Sequence, residues 1–258
     1  MKRVLTPKLP TPTYSSPLSE AEANHLVQVL RLRDGDAVEA LDGSGHSIKA
    51  ILRVRGGESR LEHAGEDAKH AENEQTLPLT VEMAILKGDA MEWVVEKCVE
   101  LGVRTLVPFV SAHTVVQIDK KGPEAFRERW QKIADQALKQ CGRLERMTVE
   151  SPVTLEKTLT LNNPGGLRIW CAEPTAASRL GTQPEFLGDL LKAIPRSTPL
   201  RVLIGPEGGW SFNELQLLEA SQGAAPLKAA SLGPVTLRAE TAALFSVAAI
   251  ASQFRAKT

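Results

Sequence analysis

From Leu77 onward, the chain alternates between short apolar runs typical of strands and longer segments with helical periodicity. The strand-like runs are 79–86, 104–109, 167–173, 200–205 and 227–231, and the helix-like segments that follow them are 90–101, 123–141, 184–193, 212–221 and 239–254. Consecutive parallel strands need a crossover connection, which is usually a helix. The alternation therefore predicts an α/β fold in which helices cover a parallel sheet.

The N-terminal part of the chain has a different pattern. Three short strand-like runs lie there: 38–41, 48–54 and 59–63. They are separated by Asp42-Gly-Ser-Gly45 and Gly56-Gly57, which are turn sequences that suit a small β-barrel. Residues 64–76 are polar and rich in Glu, as expected of a linker. We therefore predict two domains, a small β domain over 1–70 and an α/β domain over 77–258.

Composition narrows the function. The 258 residues include 31 Lys and Arg and 31 Asp and Glu, so the formal net charge is zero. This balance counts against a simple nucleic-acid binder, whose usual footprint is a basic domain. The longest apolar stretch, 242–251, is too short to span a bilayer, and no apolar core of a signal peptide follows Met1. The 3 cysteines form no Cys-x-x-Cys pair and the 5 histidines no ligand spacing, so we expect a cytoplasmic protein without a metal.

Two glycine-containing segments, 203–215 and 232–245, each lead from a strand-like run through a tight turn into a helix. Such a turn leaves backbone N–H and C=O groups free to hold a small ligand. The alternative is an ordinary turn before a helix that is capped by Ser211 and Glu214. Two such loops close together in the sequence favour a binding site.

The first loop lacks the features of a phosphate site. Gly205, Gly208 and Gly209 fit neither the phosphate-loop spacing nor the dinucleotide-binding register. Glu207 places a carboxylate where a pyrophosphate would lie, which disfavours an anionic ligand. The residues leave a neutral or cationic adenosyl compound as a candidate ligand.

The two loops resemble the C-terminal signature of the RsmE-type ribosomal RNA methyltransferases of the SPOUT superfamily, which methylate N3 of a uridine in 16S ribosomal RNA with S-adenosylmethionine. Residues 25–36, 87–89 with 96–103, and 136–143 resemble other signatures of this family. The resemblance implies a SPOUT-type parallel sheet with a C-terminal trefoil knot, preceded by a small N-terminal β-barrel (PUA-like) domain. It also implies a homodimer acting on 16S ribosomal RNA or the small ribosomal subunit. The apolar segment 239–254 is buried either against the sheet alone or against a second subunit.

The resemblance implies a set of site residues. The implied cofactor-binding residues are Ile204, Gly205, Pro206, Glu207, Gly208, Gly209, Leu232, Gly233, Leu237, Arg238, Thr241 and Ala242. The implied RNA-binding residues are Arg3, Arg31, Arg33, Lys87 and Arg143. Arg238 is the candidate for stabilising a uracil anion, unless it pairs with Glu240 or Glu207. Glu240 is the weaker candidate for proton removal, since it could instead complement a helix dipole.

The chain departs from the family pattern at three places. It reads Ser111-Ala112-His113 where a Ser-Glu-Arg-like turn is usual, Met147 in place of a Pro, and Thr236 in place of an Ile. The first change removes a possible RNA-contacting Arg. Two other functions stay open: a SPOUT ribose 2′-O-methyltransferase, and a non-catalytic RNA-binding ribosome-assembly factor. The sequence Leu237-Arg-Ala-Glu-Thr-Ala242 differs from the Ser-Leu-Asn-Val-Ser-like motif of the ribose branch, which favours base methylation.

Overall fold

The computed structural model describes residues 1–65, 69–70, 76–116, 118–161, 166–224 and 227–254. The chain divides into two compact units. The first consists of Met1–Gln75 with Asp135–Arg146, and the second of Thr76–Ala134 with Met147–Thr258. The domain limits predicted at 70 and 77 lie on either side of the first division. The return of 135–146 to the first unit has no counterpart in the sequence prediction.

The first unit contains a six-stranded sheet and a short helix that continues into a π-helix. Its elements are β1 (Lys2–Leu5), β2 (Ser16–Pro17), α1 (Glu20–Asn24), the π-helix (His25–Val29), β3 (Ala37–Leu41), β4 (His46–Arg55), β5 (Glu58–His63) and β6 (Lys69–His70). The strand order is β1-β3-β4-β5-β2, with β6 on β4. The β1–β3 pair is parallel and the other pairs are antiparallel.

Fully buried apolar side chains fill the first unit, among them Val4, Leu26 and Leu52. Inside the predicted linker, Lys69 and His70 pair with Ser47 and His46 as a short strand. The rest of that linker includes 66–68 and 71–75, which lie outside the described residues.

Polar contacts bind 135–146 into the first unit. The Arg3 guanidinium donates to the Lys139 carbonyl at 3.1 Å and pairs with Glu39 at 2.8 Å. The Lys139 ammonium in turn pairs with Glu22 at 2.7 Å. The Arg146 N–H donates to the Gly43 carbonyl at 2.8 Å. These contacts span many residues of sequence, which is why the pattern of any one segment does not predict them.

The second unit is the expected α/β fold. Its elements are β7 (Leu79–Ala84), α2 (Asp89–Glu100), β8 (Thr105–Val110), α3 (Ile118–Lys121), α4 (Pro123–Cys141, shared with the first unit), β9 (Thr148–Val149), β10 (Val153–Thr154), α5 (Leu155–Thr160), β11 (Leu167–Cys171), α6 (Pro174–Arg179), β12 (Glu185–Phe186), α7 (Leu187–Lys192), β13 (Leu200–Ile204), α8 (Phe212–Ala224), β14 (Leu227–Ser231) and α9 (Ala239–Phe254). The sheet has the order β10-β8-β7-β13-β11-β14-β12, with β9 on β8, and every pair is parallel.

The strand order confirms the predicted parallel sheet. One predicted helix, 184–193, begins late: Glu185 and Phe186 pair with Ala230 and Ser231 as an edge strand, and α7 starts after them. The C-terminal trefoil knot stays a prediction. No helix in the described ranges is long and apolar enough to cross a membrane.

A buried ionic cluster joins three strands of this sheet. Glu82 on β7 is fully buried and accepts from Arg168 on β11 at 2.8 and 3.1 Å and from Arg201 on β13 at 2.6 Å. Arg168 also donates to the carbonyls of Thr158 and Leu159 in the last turn of α5, each at 3.0 Å. Buried charges are tolerated when they are paired and hydrogen-bonded in this way. The cluster therefore holds β7, β11, β13 and α5 together.

Replacing Glu82 by Ala leaves two buried guanidinium groups without their shared carboxylate. We expect a loss of about 3 to 5 kcal/mol in the free energy of unfolding, measured by denaturant titration. The matched control is Asp189→Asn, which breaks an exposed pair with Lys192 and should change stability little. Equal stability of the Glu82 variant and the parent would show that the cluster does not hold the sheet together.

Candidate functional site

The carboxyl ends of three adjacent parallel strands meet at one edge of the second unit's sheet. Strand β11 is hydrogen-bonded to β13 on one side and to β14 on the other. The two glycine-containing loops follow β13 and β14, so the segment after β11 lies between them. Ligands of open α/β sheets bind at this edge. The strand order thus brings together three segments, 172–174, 204–210 and 232–238.

These segments enclose a cavity of about 290 Å³. This volume lies near the lower end of the roughly 300–1,000 Å³ that is usual for small-molecule sites. The cavity is lined by Cys171, Ala172, Glu173, Pro174, Ile204, Gly205, Pro206, Glu207, Trp210, Leu232, Gly233, Val235, Thr236, Leu237, Arg238, Ala239, Glu240 and Ala242. Its walls are apolar side chains and main chain, with charged groups from Glu173, Glu207, Arg238 and Glu240.

Most of the cofactor-binding residues implied by the resemblance line this cavity, and Glu240 lines it too. The exceptions are Gly208, Gly209 and Thr241. Thr241 is exposed, and its side chain makes no hydrogen bond to another described residue. The lining residues that the sequence analysis missed are Cys171, Ala172, Glu173, Pro174, Trp210, Val235, Thr236 and Ala239. Cys171 ends β11 and 172–174 follow it directly, so their place in the lining depends on the strand order.

Trp210 fixes the shape of the first loop. Its indole stacks on Phe109 with ring centroids 6.1 Å apart and meets Trp170 edge-on at 6.3 Å. A Cβ on Gly205 would lie 2.7 Å from the indole ring, which is too close for any side chain. Packing against Trp210 therefore requires glycine at 205, whose main chain also lines the cavity.

The Ser111-Ala112-His113 turn supports the same loop from outside. His113 Nδ1 lies 2.7 Å from the Gly209 carbonyl, and a Cβ on Gly208 would lie 2.9 Å from the His113 Cβ. Gly209 has a φ of 73°, a conformation that favours glycine. Gly208 and Gly209 thus serve the loop's conformation and its packing. The departure from the family pattern at His113 leaves the turn in contact with the loop.

The capping box considered as an alternative to a binding loop is present. The Glu214 carboxylate accepts from the Ser211 N–H and hydroxyl, each at 2.8 Å, and Glu214 N–H donates to the Ser211 hydroxyl at 3.3 Å. The same carboxylate accepts from the Ala112 N–H at 3.0 Å. Burial acts to raise the pKa of Glu214, but hydrogen bonds to the carboxylate outweigh it, so the pKa lies below its ordinary value. The capping box therefore holds the start of the helix that follows the first cavity loop, so the two interpretations of this loop are compatible.

The charged groups of the cavity have few partners. Arg238 is exposed and forms no ion pair with any described residue, so the alternative of a pair with Glu207 or Glu240 is absent there. Glu240 lies in the first turn of α9, and its Oε2 is buried without a hydrogen-bond partner in the described ranges. Burial raises the pKa of the Cys171 thiol to about 12, which makes this thiol a poor nucleophile at neutral pH.

The residues expected to contact RNA differ in accessibility. Arg31, Arg33 and Lys87 are exposed. Arg31 directly follows the turn that ends the π-helix and has a φ of 57°, a left-handed conformation that is rare outside glycine. Arg143 is only 5% exposed, because the end of α4 packs into the first unit, and Arg3 is engaged with Glu39 and Lys139. We therefore leave Arg3 and Arg143 out of the candidate RNA surface. The described residues contain no group of three or more side chains that could hold a metal ion.

Comparisons with known proteins match two families along the chain. The chain matches the family described as RNA methyltransferase domain over residues 73–251 and the one described as RNA methyltransferase PUA domain over 18–59. It is 30% identical over 244 residues to the ribosomal RNA small subunit methyltransferase E of Bacillus subtilis, covering 94% of this chain and 91% of the relative. The Synechocystis protein of the same name is 33% identical over 236 residues, covering 90% and 71%.

A solved structure shows the same architecture. The ribosomal RNA small subunit methyltransferase E of Neisseria gonorrhoeae, bound to S-adenosyl methionine, superposes with a TM-score of 0.81 at 27% identity. The superposition covers 97% of this chain and 96% of that one.

Substituting Glu214 by Gln tests the support of the first loop. We expect a loss of about 1 to 3 kcal/mol in unfolding free energy at pH 7, because an amide nitrogen cannot accept the hydrogen bonds of a carboxylate oxygen. A lowered folded-state pKa stabilises the fold above the unfolded value of about 4.3 and loses this effect as pH falls through the folded value. The stability difference between parent and variant should therefore shrink in acid.

Denaturant unfolding at pH 7 and at pH 3.5 measures this difference. Glu219→Gln, an exposed change on the same helix, is the control. A Glu214→Gln variant as stable as the parent at pH 7 would show that Glu214 does not support the first loop.

Proposed function

Because this chain belongs to the RNA methyltransferase family that includes ribosomal RNA small subunit methyltransferase E, we propose that it methylates 16S ribosomal RNA with S-adenosylmethionine. The acceptor we propose is N3 of a uridine. The observation that carries the proposal is the cavity that 172–174, 204–210 and 232–238 form together. A ribosomal RNA substrate also favours a cytoplasmic location.

The residues present fit the methyl donor. Apolar side chains of Ile204, Leu232 and Leu237 can contact an adenine ring, and Gly205 and Gly233 expose main chain beside them. The carboxylates of the lining suit a cationic ligand, and one carboxylate oxygen of Glu240 is still free to accept a hydrogen bond from a ligand. When bound, S-adenosylmethionine supplies an activated methyl group on a positively charged sulfur.

Arg238 is placed to act on the acceptor base. Uracil N3 is a poor nucleophile while protonated, so the site must stabilise the negative charge that develops as the proton leaves. The Arg238 guanidinium lines the cavity, is exposed to an incoming base and forms no ion pair with a carboxylate of the described residues. A permanently charged planar donor can hydrogen-bond the uracil O2 or O4. We assign Arg238 to stabilising the uracil anion.

Glu240 is the candidate proton acceptor. Its Oε2 is buried and has no hydrogen-bond partner within the described part of the chain, so it can accept a proton or a hydrogen bond. Its position in the first turn of α9 also complements the helix dipole. The two roles are compatible, since the positive end of the helix stabilises the carboxylate before it accepts the proton.

Two exposed arginines of the first unit suit RNA capture. Arg31 and Arg33 present guanidinium groups that form no ion pair with another described residue. Contacts from such groups to phosphates position RNA without reading its sequence. Lys87, exposed just before α2, is a further candidate. Local clusters of this kind reconcile RNA binding with a net charge of zero.

We also propose a homodimer, formed through the apolar surface of α2 and α9. A shallow groove between these helices is lined by Trp93, Val94, Lys97, Cys98, Leu101, Ala243, Leu244 and Val247. Trp93 on α2 and Phe245 on α9 are 39% and 40% exposed, and a partner subunit packed on these helices would cover them. Sedimentation velocity at micromolar concentration measures the oligomeric state, and a monomer would refute this proposal.

Changing Arg238 to Ala should lower methyl transfer by about 100-fold or more, since removing one charge-stabilising donor has this effect in other enzymes. Affinity for S-adenosylmethionine should change less than about twofold, as expected for a contact made mainly in the transition state. The assay incubates enzyme, methyl donor and 16S ribosomal RNA in small subunits and identifies the modified nucleoside by mass spectrometry. Arg196→Ala, an exposed arginine of the same unit, is the control.

The parent should yield 3-methyluridine. A 2′-O-methylated product would place the protein in the ribose branch, and cofactor binding without any product would favour a binding-only factor. Full activity of the Arg238 variant would remove this residue from the mechanism.

Replacing Arg31 and Arg33 by Ala should weaken RNA binding and leave affinity for the methyl donor unchanged. Each lost phosphate contact should lower the slope of log affinity against log salt by about 0.7 to 0.9. Arg60→Ala is the control, because the Arg60 guanidinium is already paired with Glu58 at 2.9 Å. RNA binding titrated at several salt concentrations gives the slope, and an unchanged slope in the double variant would exclude these arginines.

A further inference from the structure

Three carboxylates line the cavity: those of Glu173, Glu207 and Glu240. None of their side chains forms a hydrogen bond or an ion pair with another described residue. Arg238 is the single cationic side chain among the lining residues, and it is exposed. The lining therefore carries an excess of negative charge, although the whole chain is neutral.

Glu173 is the carboxylate whose charge is least compensated. Glu207 is exposed, so solvent screens its field, and Glu240 lies in the first turn of the 16-residue helix α9, whose dipole offsets part of its charge. Glu173 is half-buried in the segment that follows β11, between the two glycine-containing loops. It precedes α6, but that helix has only 6 residues and begins with Pro174, and the Glu173 side chain does not cap it.

The methyl donor and its product differ in charge at one atom. Transfer breaks the carbon–sulfur bond, leaves the bonding electron pair on sulfur and removes one positive charge from the ligand. The N3 proton of the uracil is transferred to a proton acceptor, so the methylated uracil is neutral. Donor and product otherwise share the same adenosine and amino acid groups. A site can therefore tell them apart by the methyl group and by the sulfonium charge.

We infer that Glu173 is a specificity-determining residue, which makes the cavity prefer the cationic methyl donor to its neutral product. The inference rests on the proposed function. A half-buried carboxylate attracts a positive charge several ångströms away more strongly than one in bulk water does. Loss of the charge on transfer weakens this attraction and helps the product to leave. The apolar walls and main chain, which contact both ligands alike, supply the shared part of the affinity.

Calorimetric titration with S-adenosylmethionine and with S-adenosylhomocysteine tests the inference without any turnover. We expect the parent to bind the methyl donor more tightly by about fivefold or more, and this preference to fall as salt is raised. Glu173→Gln should reduce the preference by about fivefold, mainly by weakening binding of the donor. Glu173→Asp should retain most of it. Glu219→Gln, which removes an exposed carboxylate outside the cavity, should leave the preference unchanged.

The outcomes separate this inference from the proposed function. Equal affinity of the parent for both ligands would overturn the role of Glu173, and so would an equal loss of affinity for both ligands in Glu173→Gln. Either result would leave the proposed methylation of ribosomal RNA unaffected. Failure of the parent to bind either ligand would overturn both. A thermal melt of each variant shows whether it is folded, and the parent's own preference and its salt dependence need no variant.

Discussion

The order of three parallel strands is the constraint on which the site depends. Strand β11 lies between β13 and β14, so the segments that follow these strands emerge side by side at one edge of the sheet. Neither glycine-containing loop encloses the cavity alone, since segment 172–174 contributes a wall between them. Trp210 then holds the first loop in shape by packing against Gly205, Phe109 and Trp170. A ligand therefore meets a site whose shape is set by the fold before it binds.

Among the described residues of the second unit, charged side chains are paired inside the sheet and unpaired at the cavity. Inside the sheet, Glu82 is shared between Arg168 and Arg201, and Arg168 uses its remaining donors on carbonyls of α5. At the cavity, Arg238 and Glu173 have no such partners in the described ranges. Buried charges are costly unless they are paired, and those of the core are paired, whereas the half-buried Glu173 and the exposed Arg238 remain available to a ligand. This contrast supports both the role of Arg238 toward the base and that of Glu173 toward the methyl donor.

Local sequence patterns predicted the central strands and most of the longer helices of the second unit, but not short elements such as α5 and α6. Helix 123–141, strand 227–231 and helix 239–254 have the predicted limits, because hydrophobic periodicity and turn residues act over short distances. Prediction failed where distant residues decide the outcome. Glu185 and Phe186 form a strand because β14 lies beside them, and Arg143 is buried because the end of α4 returns to the first unit. The glycine-containing loops revealed two walls of the cavity, whereas segment 172–174 has no glycine motif and depends on strand order alone.

Three segments that are distant in sequence form the proposed site for the methyl donor. Hydrogen–deuterium exchange of the full chain, with and without saturating S-adenosylmethionine, shows which segments the ligand protects. We expect slower exchange at 172–174, 204–210 and 232–238 together, with little change across the first unit. Protection of only one of these segments, or protection located elsewhere while the ligand is bound, would contradict the proposed site.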